Sequence, residues 1–294
     1  MLSSHELESL VRQIGDELLG RIGTAPVSPS AAVPPKSAVS ACGCGASPAA
    51  SDSAPGLSSP AAKCEWRLPR QGLAGFIDHT LLRPEATERD VARHCAEARQ
   101  HRFASVCVHP VWVARAAREV AGSKVKVATV IGFPQGASLT PIKCAEAEQA
   151  LKLGAAEIDM VIPIGALKGG DLDRVYIDIR SVVEVARGAG ALLKVILEMG
   201  HLTETEKVAG CAVARLAGAD FVKTSTGFGP GGAVAADVAL MHRVVGGEMG
   251  IKAAGGIKTL EQMLAMLDAG ATRIGTSSGV AIMRQAASRT ATRV

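Results

Sequence analysis

The sequence predicts an α/β protein, a (β/α)8 TIM barrel preceded by a short amphipathic helix and a disordered linker. After Trp66, eight short apolar runs alternate with amphipathic helical stretches, which is the pattern of a parallel sheet built from βα units. These units fill about 225 residues, the size of one such barrel. A doubly wound open sheet is the alternative, but no G-x-G-x-x-G motif follows the first run, and this favours the barrel.

Residues 1–23 are the first predicted element. Apolar side chains recur there at three- and four-residue intervals from Leu7 to Ile22, which is typical of an amphipathic helix. Ser3 or Ser4 is a candidate N-cap. The segment also carries four carboxylates, which a mitochondrial targeting helix avoids.

Residues 24–65 are a predicted linker. They consist largely of Ala, Pro, Ser and Gly and have too few large apolar side chains to bury a core. Cys42, Cys44 and Cys64 lie in this region, but no second closely spaced pair completes a zinc site. The barrel is therefore assigned to residues 66–294, and no metal is expected.

Overall composition narrows the range of partners. The chain has 294 residues with 32 basic and 28 acidic side chains, a net charge of +4 and 3% aromatic residues. Without a basic stripe or stacking platforms, nucleic acid is not an expected partner. No apolar run reaches the roughly 18 residues that span a bilayer, and no export signal is present, so we expect a cytoplasmic protein with no membrane partner. Seven scattered cysteines fit a reducing compartment.

Secondary structure is predicted from the spacing of apolar residues and from the positions of Gly and Pro. Pro84, Pro110 and Pro141 stand near helix starts, and Gly154, Gly218 and Gly270 follow helix ends. The predicted helices include residues 87–100, 141–153, 172–186, 203–217 and 260–269. The predicted strands are residues 75–80, 105–109, 125–131, 157–163, 192–198, 221–226, 250–254 and 273–276.

One lysine in the sixth predicted strand is unusual. Lys223 lies inside the run Phe221-Val222-Lys223-Thr224-Ser225-Thr226-Gly227, which has the apolar, β-branched composition of a buried parallel strand. Side chains alternate along a strand, so Lys223 faces opposite to Val222. The alternatives for a lysine here are catalysis, a structural ion pair with a carboxylate, or a strand-end lysine that reaches solvent.

Other polar residues share the ends of the predicted strands. In barrels of this type the catalytic groups lie at the carboxyl ends of the strands, so these residues should converge. Individually each has a structural alternative: Cys107 as a small core residue, Glu157 as a capping or paired carboxylate, and the histidines as structural groups. The converging set is Asp78, Thr80, Cys107, Glu157, Asp159, Lys194, Lys223 and Lys252.

Two glycine- and hydroxyl-rich loops follow the seventh and eighth strands. Gly255-Gly256 and Gly275-Thr276-Ser277-Ser278-Gly279 have small residues that let backbone N–H groups surround an anion at a helix N-terminus. A phosphate site beside buried lysines indicates carbonyl chemistry on a sugar phosphate through an imine, with no cofactor required.

For Lys223 to attack a carbonyl it must be neutral, which requires its pKa to fall from about 10.4 to about 7. A second ammonium about 4 Å away, with Lys252 as the candidate, and burial act in this direction. Asp159 acts in the opposite direction. We therefore expect its carboxylate to lie closer to Lys252 or to bond through water.

Six motifs in order resemble the 2-deoxyribose-5-phosphate aldolase family from about residue 74 to the end of the chain. They are Ile77-Asp78-His79-Thr80-Leu81-Leu82, Val127-Ala128-Thr129-Val130-Ile131-Gly132-Phe133-Pro134, Glu157-Ile158-Asp159-Met160-Val161, Val222-Lys223-Thr224-Ser225-Thr226-Gly227-Phe228, Lys252-Ala253-Ala254-Gly255-Gly256 and Ile274-Gly275-Thr276-Ser277-Ser278. The resemblance implies a metal-independent class I aldolase. Such an enzyme reversibly cleaves 2-deoxy-D-ribose 5-phosphate to D-glyceraldehyde 3-phosphate and acetaldehyde, in deoxyribonucleotide catabolism.

The resemblance also implies residue roles. Lys223 corresponds to the Schiff-base lysine, and Asp159 and Lys252 to its proton-relay pair. Asp78, Thr80, Cys107, Lys194 and Thr226 are the candidate substrate-binding residues. The phosphate-binding candidates are Gly227, Gly255, Gly256, Gly275, Thr276, Ser277 and Ser278. Phe228 stands where some members carry a lysine, and Pro163 and Met199 stand where Asn and Thr are expected, so substrate preference is the property that these departures affect.

Two alternatives to this aldolase remain: a non-catalytic sugar-phosphate-binding barrel, and another imine-forming aldolase. A homo-oligomer, dimer or tetramer, is expected. The order of helix, linker and enzyme resembles the encapsulation peptides of bacterial microcompartments, so a shell protein is a candidate partner of residues 1–23. A self-associating helix and a tail packed on its own barrel are the alternatives.

Overall fold

The computed structural model describes residues 2–22 and 72–291. Eight parallel strands form a closed barrel in sequence order, and β8 pairs with β1. This confirms the predicted (β/α)8 barrel and excludes the open sheet. The strands are β1 Ile77–Leu81, β2 Ser105–Val108, β3 Lys126–Ile131, β4 Glu157–Val161, β5 Leu192–Ile196, β6 Phe221–Lys223, β7 Gly250–Ala254 and β8 Arg273–Thr276.

Helices connect the strands and cover the outside of the barrel. Thr87, Thr203 and Thr259 cap three of them, each in a reciprocal capping box that satisfies the first N–H groups of the helix. The helices are α1 Ser4–Ile22, α2 Glu88–His101, α3 Val113–Val120, α4 Thr140–Lys152, α5 Ile164–Lys168, α6 Leu172–Gly188, α7 Glu204–Leu216, α8 Ala235–Val245, α9 Leu260–Asp268 and α10 Gly279–Ala291.

Several strands are shorter than predicted, and β6 differs most. It ends at Lys223 rather than at residue 226. The Thr224 hydroxyl donates to the carbonyl of Ala254 and accepts from the N–H of the same residue, both at 3.0 Å. The N–H of Thr224 still donates to the carbonyl of Lys252 at 3.0 Å, but the next bond to β7 is made by the Thr224 side chain instead of the backbone. β5 ends at Ile196, two residues before Glu198, whose left-handed φ of 49° cannot continue a strand.

Strand alternation arranges the barrel interior in layers. Even-numbered and odd-numbered strands contribute alternate layers of four inward-facing residues in barrels of this type. From the amino end upward, the register gives three such layers. These layers are Ser105, Glu157, Phe221 and Arg273; then Asp78, Ala128, Lys194 and Lys252; then Cys107, Asp159, Lys223 and Gly275. The polar residues predicted to converge therefore share the interior.

The helix α1 packs on its own barrel, against α7 and α8. Its buried side chains are Leu7, Ile14 and Leu18. At its start the N–H of Leu2 donates to Glu204 Oε1 at 2.7 Å, and Arg243 donates to the carbonyl of Leu2 at 3.1 Å. The tail-on-barrel alternative is thus the arrangement present in the structure.

The predicted linker and its Cys42, Cys44 and Cys64 lie outside the described residues. Within residues 2–22 and 72–291, none of the helices combines the length and apolar character required to cross a bilayer.

Candidate active site

Asp159 lies at the centre of the buried polar interior. Its Oδ2 accepts from Lys223 Nζ at 2.8 Å and from Lys252 Nζ at 2.7 Å. Its Oδ1 accepts from Lys194 Nζ at 2.9 Å. All four side chains are buried, so the amines of three lysines on β5, β6 and β7 converge on one carboxylate of β4.

A second set of contacts lies beneath this centre. Asp78 Oδ2 forms an ion pair with Lys252 Nζ at 2.6 Å, and Asp78 Oδ1 accepts from Arg273 at 2.6 Å and from the Ser105 hydroxyl at 2.6 Å. Glu157 Oε2 pairs with Lys194 Nζ at 2.6 Å and with Arg273 at 3.1 Å. We call the seven charged residues the interior network: Asp78, Glu157, Asp159, Lys194, Lys223, Lys252 and Arg273.

The interior network separates the three lysines by their pKa values. Burial lowers the pKa of Lys223, Asp159 opposes this, and the charge of Lys252 reinforces it, so that the net direction is downward. Burial acts in the same way on Lys194 and Lys252, but two carboxylates each raise their pKa values above the ordinary range. Among these three amines, Lys223 is therefore the one that loses its proton first, as a nucleophile must.

The position of Asp159 corrects one expectation. Its Oδ2 is almost equidistant from Lys223 and Lys252 and bonds both directly, so the carboxylate is not reserved for Lys252. Burial, rather than a larger distance from Asp159, offsets the effect of that carboxylate on Lys223. The pKa of Asp159 itself is held well below its usual range because, despite burial, three lysines stabilise its charge.

A cavity of about 300 Å³ opens above the network at the carboxyl ends of the strands. Among the seven residues of the interior network, all of which the structure describes, Lys223 alone lines this cavity. Asp78, Cys107 and Lys194, candidates for substrate binding, are buried and do not line this cavity, nor do Asp159, Lys252 and Ser278. The candidates that do line it are Thr80, Thr226, Gly227, Gly255, Gly256, Gly275, Thr276 and Ser277.

The proposed phosphate loops meet on one side of this cavity. Gly227, Gly255 and Gly256 have φ values of 86°, 95° and 77°, which side chains with a Cβ rarely adopt. The Thr276 hydroxyl donates to the carbonyl of Ile257 at 2.6 Å and accepts from the Ser278 N–H at 2.9 Å, which fixes the loop that leads into α10. These contacts bring two loops and a helix N-terminus together.

Two cationic side chains of this cavity were missed by the sequence reasoning. Arg83 and Lys258 both line it. Lys258 stands two residues after Gly256 and is exposed, so its place in the chain was a usable signal. Phe228, which stands where some relatives carry a lysine, also lines the cavity and contacts Phe133 edge-to-face at 5.5 Å.

Glu198 was missed as well. It is buried, and its Oε2 accepts from the Thr226 N–H at 3.2 Å and from the Thr226 hydroxyl. Because the hydroxyl proton of Thr226 goes to this carboxylate, Thr226 can accept from a substrate hydroxyl but has no proton to donate.

Two histidines and a glutamate lie close together outside the interior network. Among the described residues, His79, His94 and Glu97 offer ligand atoms close to one another. The two imidazole rings are stacked 3.6 Å apart with an angle of 11°. A metal ion lies in the plane of each imidazole that binds it, and two parallel, stacked planes do not share such a point. His79 Nε2 instead pairs with Glu97 at 2.9 Å, so this trio does not suit a metal ion.

Comparison with known proteins agrees with this geometry. The model of the DeoC/LacD family aldolases matches residues 73–289. Deoxyribose-phosphate aldolases from Thermococcus gammatolerans and Lysinibacillus sphaericus are 58% and 56% identical over 73% and 72% of this chain and 96% and 95% of their own lengths. A solved structure, the tetrameric deoxyribose phosphate aldolase of Aeropyrum pernix, has a TM-score of 0.70 at 34% identity, covering 74% of this chain and 91% of that one. The chain belongs to the DeoC/LacD aldolase family.

Proposed function

We propose that this protein is a deoxyribose-phosphate aldolase, which reversibly cleaves 2-deoxy-D-ribose 5-phosphate to D-glyceraldehyde 3-phosphate and acetaldehyde. The observation that carries this proposal is the position of Lys223. This buried lysine lines a cavity, has a lowered pKa and donates a hydrogen bond to Asp159. Two relatives of that name are matched by this chain over 95% and 96% of their own length. The pathway is deoxyribonucleotide catabolism.

The reaction begins when the neutral amine of Lys223 attacks the aldehyde carbon of the open-chain sugar. The nitrogen loses a proton and the carbonyl oxygen gains one, giving a carbinolamine. A second proton on the carbinolamine hydroxyl lets it leave as water, and this gives an iminium ion. The iminium accepts the electron pair released when the C2–C3 bond breaks, and the C3 hydroxyl proton leaves as the second aldehyde forms. The enamine then gains a proton at C2, and water releases acetaldehyde from Lys223.

In this proposal Asp159 carries these protons. Its Oδ2 bonds Lys223 directly, so it lies within proton-transfer distance of the nitrogen that forms the carbinolamine. Lys252 bonds the same oxygen and keeps the carboxylate ionised between transfers. In this proposal Lys252 also disfavours a second positive charge on Lys223.

The phosphate is assigned to the loops at Gly227, at Gly255-Gly256 and from Gly275 to Ser278. Lys258 and Arg83 supply positive charge beside them, while Phe228 supplies an apolar surface. Pro163 and Met199 do not line this cavity: Pro163 occupies the position just before the first residue of α5, and Met199 is buried. We therefore expect these two departures to have less effect on the substrate than Phe228 has.

A product assay tests the function. Wild-type protein should release acetaldehyde and glyceraldehyde 3-phosphate in equal amounts from 2-deoxy-D-ribose 5-phosphate. The variant Lys223→Met should release neither, while Lys152→Met, a change of an exposed lysine on α4, should match wild type. Binding of the sugar phosphate without products would favour a non-catalytic binding barrel. Cleavage of a different sugar phosphate would favour another imine-forming aldolase.

The substrate class also suggests where the protein works and in what form. Phosphorylated sugars do not cross bilayers, so we propose a cytoplasmic enzyme. We further propose that the protein is a homo-oligomer, as the tetrameric relative from Aeropyrum pernix is. The helices α4 and α6 pack side by side, and the large apolar side chains of Leu139, Ile142 and Ile177 are exposed there. Light scattering should give a mass above that of one chain, and a monomer would contradict this.

Encapsulation in a microcompartment through residues 1–23 stays a prediction. To dock on a shell protein as a free amphipathic helix, α1 would have to withdraw Leu7, Ile14 and Leu18 from α7 and α8. Packing on the barrel therefore competes with such a partner. Residues 1–23 fused to a fluorescent protein should gather at the compartment in cells that make it. Diffuse fluorescence would remove the targeting hypothesis.

A further inference from the structure

Arg273 lies at the amino end of the barrel, opposite to the cavity. It is the first residue of β8, in the lowest interior layer with Phe221 and Glu157. Its guanidinium lies 5.6 Å from the centre of the Phe221 ring and contacts both Asp78 and Glu157. Catalytic residues of such barrels are sought at the other end, so the position alone suggests a structural role.

The contacts of Arg273 lead to Lys223 by two routes. One runs through Asp78 to Lys252 and on to Asp159. The other runs through Glu157 to Lys194 and on to the second oxygen of Asp159. Both routes end at the carboxylate that bonds Lys223. No side chain in either route is more than slightly exposed, so screening by water is weak.

The interior network has one more cationic group than it has carboxylates. With every lysine protonated, the interior network contains four cations and three carboxylates. One net positive charge buried in the barrel is unfavourable, and it is removed when one lysine loses its proton. The titratable groups that face Lys223 are Asp159, Lys252 and Cys107; burial raises the pKa of the Cys107 thiol to about 11, so it contributes no charge near neutral pH.

We propose that Arg273 is a positioning residue of the aldolase site. Its guanidinium holds Asp78 and Glu157 in place, and these carboxylates hold the two partner lysines against Asp159. Its charge is the fourth cation of the network, and this surplus charge acts together with burial to favour the neutral amine of Lys223. The proposal rests on the proposed aldolase function.

The test measures reductive trapping of acetaldehyde by borohydride as a function of pH. The amine of Lys223 adds to the aldehyde, water leaves, and hydride from the borohydride reduces the iminium to a stable secondary amine. The pH midpoint of the trapping rate reports the protonation of Lys223. The variants are Arg273→Met, Glu157→Gln and the double variant, each checked for folding by circular dichroism.

The two single variants should shift the midpoint in opposite directions. Arg273→Met removes the surplus cation and should raise it by about one pH unit, the effect of a unit charge roughly 10 Å away at an effective dielectric near 20. Glu157→Gln removes a carboxylate and should lower the midpoint. The double variant restores the count and should return the midpoint to within a few tenths of a unit of wild type.

Two results would overturn the inference. A uniform loss of trapping at every pH, with the midpoint unchanged, would make Arg273 a structural residue only. Shifts of the same sign in both single variants would also contradict the charge argument. If Arg273→Met does not fold, the direction of the Glu157→Gln shift decides alone. Absence of trapping in wild-type protein would instead contradict the proposed function.

Discussion

Removing the charge of Lys252 should make Lys223 harder to deprotonate. Both amines bond Oδ2 of Asp159, at 2.7 and 2.8 Å, so the two nitrogens are at most about 5.5 Å apart. At an effective dielectric near 20, two unit charges at that distance repel by about 3 kcal/mol, which corresponds to about 2 pH units. Lys252→Met should therefore raise the pKa of Lys223 by one to two units, with the spread set by rearrangement of Asp159.

The assay for this prediction is the pH dependence of kcat/KM for 2-deoxy-D-ribose 5-phosphate, which reports groups of the free enzyme. The midpoint of its rising limb should move upward in Lys252→Met. Lys258→Met is the matched control, because it removes an exposed lysine of the same cavity. This control should raise KM and leave the midpoint in place. An unchanged midpoint in folded Lys252→Met would refute the reasoning.

Three further predictions concern Asp159, Ser277 and His94. Asp159→Asn should lower kcat by roughly 100- to 10,000-fold, because it removes the proton carrier, with a much smaller change in affinity for inorganic phosphate; equal losses of both would contradict its role. Ser277→Asp should mainly raise KM through repulsion of the substrate phosphate, and a loss confined to kcat would contradict the phosphate site. Burial lowers the pKa of His94 to about 3 and that of His79 to about 4. Below about pH 6.5 the unfolded chain therefore binds more protons than the folded protein, and the free energy of unfolding falls as the pH drops. His94→Leu should remove about 2 kcal/mol of the stability difference between pH 7 and pH 5, measured by urea unfolding, and an undiminished difference would show that His94 is not its source.

The barrel could be predicted because its evidence is local. Each strand carries its own apolar run, and caps such as Thr87 and Thr203 stand where the helices begin. The shared position of Asp159, Lys223 and Lys252 follows from the barrel once it is assigned, since parallel strands bring alternate residues to one interior. The end of β6 could not be predicted, because it depends on the Thr224 hydroxyl, which takes the place of the backbone carbonyl as the acceptor for the Ala254 N–H of β7.

Other features depend on contacts between distant parts of the chain. Arg273 is separated from Asp78 by 195 residues and starts a strand, where no local signal marks it as part of the network. Glu198 is placed by a left-handed backbone conformation that its sequence does not indicate. The docking of α1 on α7 and α8 has the same origin, because an amphipathic stripe predicts a buried face but not the surface that buries it.

The central claim is that Lys223 forms the imine, and mapping the trapped adduct tests it most directly. Wild-type protein is treated with acetaldehyde and borohydride, digested, and sequenced by mass spectrometry. We predict one ethyl group on the amine of Lys223, with Lys194 and Lys252 unmodified because their carboxylate partners raise their pKa values. An adduct on Lys194 or Lys252, with Lys223 unmodified, would contradict the assignment.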